Sequence, residues 1–214
     1  YLDIISQVRE SNEELVICVT TSGRLEPELN KRADVLNLEG RCLPDMASLT
    51  LSSMNFAKSA STNAPDTVQS LAKRMLEKGI KPEFEVFDSG MVNYLQYLIS
   101  KRLVKPPYVV NFILGGLASA QADALELGNM VSRLPERTLW MAGGIGKAQL
   151  PAIGLALSNG GGIRVGIEDN IWWDSARTRL ATNFDLVQRA IQIGELMGRS
   201  PMTPKEFRTQ WLNE

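Results

Sequence analysis

Residues 63–88 read NAPDTVQSLAKRMLEKGIKPEFEVFD, and this stretch sets the pattern for the whole chain. Its first half has apolar residues at helical spacing over Ala64 to Lys78. The helix is entered through Asn63 as a cap, an early Pro65, and Asp66 near the positive end of the helix dipole. Lys78 followed by Gly79 closes it as a basic last turn with a glycine C-cap. Beyond Gly79 the apolar period drops to two, and Glu83 to Phe87 reads as a strand with Glu83 and Glu85 on one face. A capped helix running at once into a short β-branched or aromatic strand is half of a βαβ unit.

Working outward, runs of strand length recur at Leu15 to Thr21, Met46 to Phe56, Tyr108 to Leu114, Arg137 to Met141 and Gly162 to Ile167. Segments of helical spacing fall between and after them, at Met91 to Lys101, Ala120 to Leu134, Gln149 to Ser158 and Thr182 to Leu196. Strict alternation predicts parallel βαβ units, which either close into a (β/α)8 (TIM) barrel or spread as a doubly wound sheet. The chain opens on helical spacing, Leu2, Ile5 and Val8, as if begun inside a unit. Six strands behind that helix fall two short of a closed barrel, and two further units would add about sixty residues, toward the usual ~250. We therefore expect one barrel domain over 1–214 with its first two strands missing. Residues 22–43 carry many charges and little periodicity, and read as a long loop with room for one short helix.

The composition narrows the function. A hydrophobic content of 44% in 214 residues supports one large core. With 23 basic against 24 acidic side chains there is no field to hold nucleic acid or an anionic membrane, so neither is an expected partner. No apolar run is long enough to span a bilayer. The two cysteines, Cys18 and Cys42, form neither a CxxC pair nor a disulfide framework, which fits a reducing cytoplasm. Histidine is absent, which removes the commonest general base and the commonest zinc ligand from the residues in hand.

The expected strands end in polar or glycine residues: Thr20-Thr21, Ser52-Ser53, Asp88-Ser89, Gly115-Gly116, Gly143-Gly144 and Glu168-Asp169. Turns need such residues, and an active site spread over the C-terminal ends of parallel strands needs them too. In Gly160 to Asn170, alternation would put Arg164, Gly166 and Glu168 on one side of the pleat. A guanidinium there would keep a neighbouring carboxylate charged and aimed, as a metal ligand or a carbon-acid base requires; a salt bridge at the rim is the alternative. Glu83 and Glu85 on one face of a core strand need a cation, a metal or a substrate ammonium, unless Glu83 precedes the strand and is solvated. The clusters Gly143 to Gly146 and Gly160 to Gly162 suit either close approach to a phosphate or tight turns.

Three segments together resemble the β-keto acid cleavage enzymes: Pro44-Asp45-Met46-Ala47-Ser48-Leu49 with Ser53-Met54-Asn55-Phe56, Gly79 through Asp88, and Arg164 through Asn170. The resemblance implies a (β/α)8 barrel that binds Zn2+ and takes a small-molecule β-keto acid and acetyl-CoA to acetoacetate and a new acyl-CoA by retro-Claisen cleavage. It makes Glu168 the carboxylate metal ligand, Asp169 the base and Arg164 the residue that orients it. Thr20, Thr21 and Ser48 match contacts to the substrate carboxylate, and either Glu83 or Glu85 matches an acid near the substrate's distal group. The family's other zinc ligands, a His-x-His pair on the second barrel strand, have no counterpart here, which agrees with the two strands that counting finds missing. A homo-oligomer, a tetramer, is also implied. The rival readings are a phosphate-binding aldolase or isomerase barrel, which would want a lysine at a strand end, and a degenerate, non-catalytic barrel.

Overall fold

The computed structural model describes residues 1–212. In chain order the elements are α1 (Leu2–Ser11), β1 (Cys18–Thr20), α2 (Leu29–Arg32), β2 (Met46–Thr50), β3 (Met54–Asn55), β4 (Ala60–Ser61), α3 (Pro65–Lys78), β5 (Lys81–Val86), α4 (Ser89–Ser100), β6 (Tyr108–Leu114), α5 (Ala124–Val131), β7 (Thr138–Gly144), α6 (Gln149–Ser158), β8 (Gly162–Ile163), α7 (Asn183–Leu196) and α8 (Pro204–Phe207). The fold is parallel α/β, as the alternation of periods predicts. None of the helices described is long and apolar enough to cross a membrane.

The chain divides into two compact units. One comprises Tyr1–Glu85, Asn93–Val109 and the residues from Met202 on; the other comprises Val86–Val92 and Val110–Pro201. In the first, β1 pairs parallel with β2 and β2 with β5. Strand β5 alternates as a one-sided strand must, with Pro82 and Phe84 buried and Lys81, Glu83 and Glu85 only partly covered. Helix α3 buries Val68, Leu71, Ala72 and Met75, the i, i+3, i+4, i+7 stripe of an amphipathic helix. Gly79 ends it in the left-handed region at φ 70°, as a glycine C-cap does. The other end differs from the expected cap. Ala64 holds the N-cap position, while the Asn63 side chain is buried and accepts from Arg32 at 2.6 Å and donates to the Ser52 carbonyl at 3.0 Å. The charged loop folds as α2 with two 3-10 turns, Asp34–Asn37 and Gly40–Cys42.

In the second unit β7 pairs parallel with β8, in the register Met141 with Gly162 and Ala142 with Ile163. Ile153 and Leu157 of α6 and Ala190 of α7 form a cluster that Ile163, Val165 and Ile193 extend. The strand expected over Gly162 to Ile167 stops at Ile163, after which only the Arg164 amide continues the ladder, donating to the Ala142 carbonyl at 3.0 Å. Residues beyond it turn, because the Gly166 carbonyl takes the amides of Asp169 and Asn170, both at 3.2 Å. Pleat alternation therefore does not set the directions of Arg164 and Glu168.

Ahead of β2 in the first unit, the carboxylate of Asp45 gathers two arginines. It accepts from Arg9 at 2.7 Å, from the Ile17 amide at 2.7 Å and from Arg208 at 2.5 and 3.0 Å. The same arginines cap the C-terminal carbonyls that follow α1: Arg9 donates to Glu13 and Leu15, and Arg208 to Glu14 and Leu15. Burial alone would raise the Asp45 pKa, but the bonds from Arg208, Ile17 and Arg9 outweigh it and hold the carboxyl below its usual range. A depressed carboxyl contributes stability above its unfolded value of about 3.9, which is lost as pH falls through the folded value. We expect Asp45→Asn to cost roughly 3 kcal/mol, the low end for breaking a buried ion pair, since Arg208 is 30% exposed while Arg9 is only 6% exposed. Urea unfolding at neutral pH measures this, and repeating it through pH 5 to 3 should show a fall in the parent protein that the variant lacks.

Candidate active site

The first unit assembles a polar row by strand register. Thr20 stands opposite Ser48 in the β1–β2 ladder, and Ser48 opposite Glu83 in the β2–β5 ladder. In-register residues of a parallel sheet point to one face, so these three share a row. Ser48 is 6% exposed and its hydroxyl has no protein partner. A buried hydroxyl without a bond is costly and points to something that completes it. Two residues nearer the C-terminal ends, Thr50 donates to Glu85 at 2.6 Å, so the second glutamate is held by its neighbour in the ladder. Both glutamates thus lie on one face, and Glu83 lies within β5 rather than ahead of it.

Two residues in this region differ from expectation. The Thr21 hydroxyl donates to the Ser48 carbonyl at 2.6 Å, and its own carbonyl accepts from Arg32 at 2.8 Å, so a 2% exposed Thr21 is committed to the turn after β1. Cys18, which the sequence reading left without a role, donates its thiol to Glu83 at 2.8 Å. The alternation that places Thr20 on this face also places Cys18 there, two residues earlier.

In the second unit the acids at the end of β8 are held by one guanidinium. Arg164 donates from Nε to Asp169 Oδ2 at 2.9 Å, from Nη2 to Asp169 Oδ1 at 3.3 Å and from Nη2 to Glu168 Oε2 at 3.3 Å. The two carboxylates differ sharply in exposure, 9% for Asp169 and 81% for Glu168. Asp169 is thus fixed in direction by a side-on arginine, with lone pairs to spare, while Glu168 presents its carboxylate to solvent. The glycines before this turn are there for space. A Cβ on Gly143 would lie 3.0 Å from the Arg164 Cβ, and one on Gly144 would lie 2.2 Å from the Ala148 carbonyl oxygen. Beyond the turn, the guanidiniums of Arg179 and Arg189 each lie over the Trp173 ring, at 4.9 and 4.4 Å from its centre. Among the described residues no group of three or more His, Cys, Asp or Glu side chains is placed to hold a metal ion.

Comparison with known proteins gives the family. A sequence model of the β-keto acid cleavage enzymes matches residues 1–211. This chain belongs to that family. It is 31% identical over 205 residues to the 3-keto-5-aminohexanoate cleavage enzyme of Fusobacterium nucleatum, covering 95% of this chain and 73% of that protein. It is 30% identical over 208 residues to the 3-oxoadipate:acetyl-CoA acetyltransferase of Cupriavidus necator, covering 96% and 71%. It is 28% identical over 226 residues to the 3-dehydrocarnitine:acetyl-CoA trimethylamine transferase of Rhizobium meliloti, covering 97% and 75%. Among solved structures, the binary complex of ObcA with oxaloacetate superposes with a TM-score of 0.80 at 21% identity, over 99% of this chain and 56% of ObcA. That likeness gives the fold, a TIM barrel, of which six strands are present in this chain. The chain thus spans nearly three quarters of its family relatives and little more than half of ObcA.

The Ser48 hydroxyl gives a test of what the polar row is for. Because it is buried without a partner, Ser48→Ala should leave the urea midpoint unchanged or slightly raised, whereas Thr21→Val, which loses a made bond, should cost about 1 kcal/mol. A clear loss of stability in Ser48→Ala would show that the hydroxyl is already satisfied within the fold.

Proposed function

We propose that the protein condenses a β-keto acid with acetyl-CoA and cleaves the adduct to acetoacetate and a new acyl-CoA. Membership of the family and the acyl-CoA chemistry in its relatives' names support the reaction type. The observation that carries the assignment to residues is the nearly buried Asp169, aimed by Arg164, beside the exposed Glu168. A base for a carbon acid must be ionised, directed and shielded, and the side-on guanidinium supplies the direction without occupying every lone pair.

In this reading Asp169 takes a proton from the methylene between the ketone and the carboxylate, the more acidic of the two carbon acids present. The resulting carbanion attacks the acetyl-CoA carbonyl, and a new C–C bond forms. Coenzyme A then passes as thiolate to the original ketone carbon, whose bond to the former methylene breaks. The acyl group leaves as its thioester, the electron pair stays on the acetoacetate fragment, and that fragment recovers the proton. Thr20 and Ser48 hold the substrate carboxylate, the unpartnered Ser48 hydroxyl being ready to donate. Thr21 supports that row through the Ser48 carbonyl. Either Glu85, held by Thr50 one step nearer the C-terminal ends of the strands, or Glu83 on the same face is the acid we assign to the substrate's distal group.

The described residues do not make a zinc site by themselves, since Glu168 is a single exposed carboxylate and Asp169 is taken up by Arg164. A catalytic zinc takes three protein ligands and an open position. We propose Glu168 as a carboxylate ligand that this chain contributes to the metal. We further read 1–214 as one barrel domain, in a homo-oligomeric protein of the reducing cytoplasm, where Cys18 and Cys42 form no disulfide.

In the complete protein, Asp169→Asn should lower acetoacetate formation at least ~10²-fold while bound zinc stays constant; retained turnover removes Asp169 from the role of base. Glu168→Gln should lower zinc per protomer, read by metal analysis after dialysis. Undiminished zinc in that variant excludes it as a ligand.

A further inference from the structure

Gln149 opens α6 and is 0% exposed, at the head of a helix whose Ala152, Ile153, Ala156 and Leu157 are buried. An amide in such surroundings is costly unless bonded. Its Nε2 donates to the Gly166 carbonyl at 3.1 Å, whereas its Oε1, equally buried, accepts no hydrogen bond. The Gly166 carbonyl is the pivot of the turn that carries Glu168 and Asp169, since it already receives the amides of Asp169 and Asn170. Three donors therefore converge on one oxygen, two from the turn itself and one from α6. A second anchor comes from the same side, where the Gly146 amide donates to the Asp169 carbonyl at 2.7 Å. The segment from Gly146 to Gln149 grips the turn at both ends.

We infer that Gln149 is a positioning residue for Asp169. It holds Gly166 in place so that the carboxylate three residues on meets the Arg164 guanidinium side-on, and it does not itself touch substrate. The half-satisfied amide carries this assignment. An isosteric methionine would lose one hydrogen bond but would also relieve a buried acceptor with no partner, so net fold stability is not what the amide supplies. What it supplies is a contact at the catalytic turn, where displacements of about 1 Å cost on the order of 10²-fold in rate. The inference rests on Asp169 being the base.

The test is Gln149→Met in the complete, zinc-loaded enzyme, with Asp169→Asn alongside. We expect kcat to fall ~10 to 100-fold with KM for both substrates within about twofold. The melting temperature should stay within about 2 °C, and the Asp169 and Asn170 amides should exchange faster with solvent while those of α6 do not. Unchanged exchange at 169 and 170, or unchanged kcat, overturns the inference, as does a loss of kcat that merely follows a fall in melting temperature. Gln149→Leu, apolar and likewise without the amide donor, should give the same split and serves if the methionine variant does not fold. If exchange rises in Gln149→Met while Asp169→Asn keeps full turnover, the anchor stands and the assignment of the base is what fails.

Discussion

One arginine between two unlike carboxylates is the interaction on which the turn after β8 depends. Arg164 binds Asp169 side-on and touches Glu168 with a single N–H, so neighbouring acids that would otherwise repel are separated in direction and in exposure. The geometry is bought with backbone. Gly143 has no Cβ because Arg164 packs there, Gly144 has none because the start of α6 folds back against it, and the turn is held by the Gly146 amide and the Gln149 side chain. A loop of small residues thus works as a rigid mount, in contrast to the phosphate cradle that such a cluster also suggests.

The polar row of the first unit is built by a different device. Parallel ladders set Thr20, Ser48 and Glu83 in one row without any loop, so their alignment is as stiff as the sheet. Polar side chains on that face are costly, and the structure satisfies them in pairs: Cys18 with Glu83 and Thr50 with Glu85. Ser48 is the exception, and exceptions of this kind are where a ligand completes the hydrogen bonding. Asp45 anchors the opposite ends of the strands by drawing Arg9 and Arg208 onto carbonyls of the loop between α1 and β1.

Strand and helix order was legible in the sequence because each element carries its own period, and periods are local. Tyr108 to Leu114 and Gln149 to Ser158 lie where the pattern puts them, and the glycine cap after Lys78 forms as read. The motifs around Asp45, Glu83 and Glu168 identified the family for the same reason, being contiguous in the chain. The shortening of the last strand was not legible, because it follows from which amides the Gly166 carbonyl accepts and not from any apolar pattern.

The partners of individual side chains were decided by tertiary structure alone. Asn63 reads as a helix cap and instead binds Arg32, the Thr21 hydroxyl finds the Ser48 carbonyl twenty-seven positions on, and Gln149 reads as an ordinary helix residue and instead grips a turn seventeen positions on. Sequence determines what a residue can donate or accept and how its neighbours repeat. A hydrogen bond additionally needs two atoms within about 3 Å, and for residues far apart in the chain only the packed fold can bring them there.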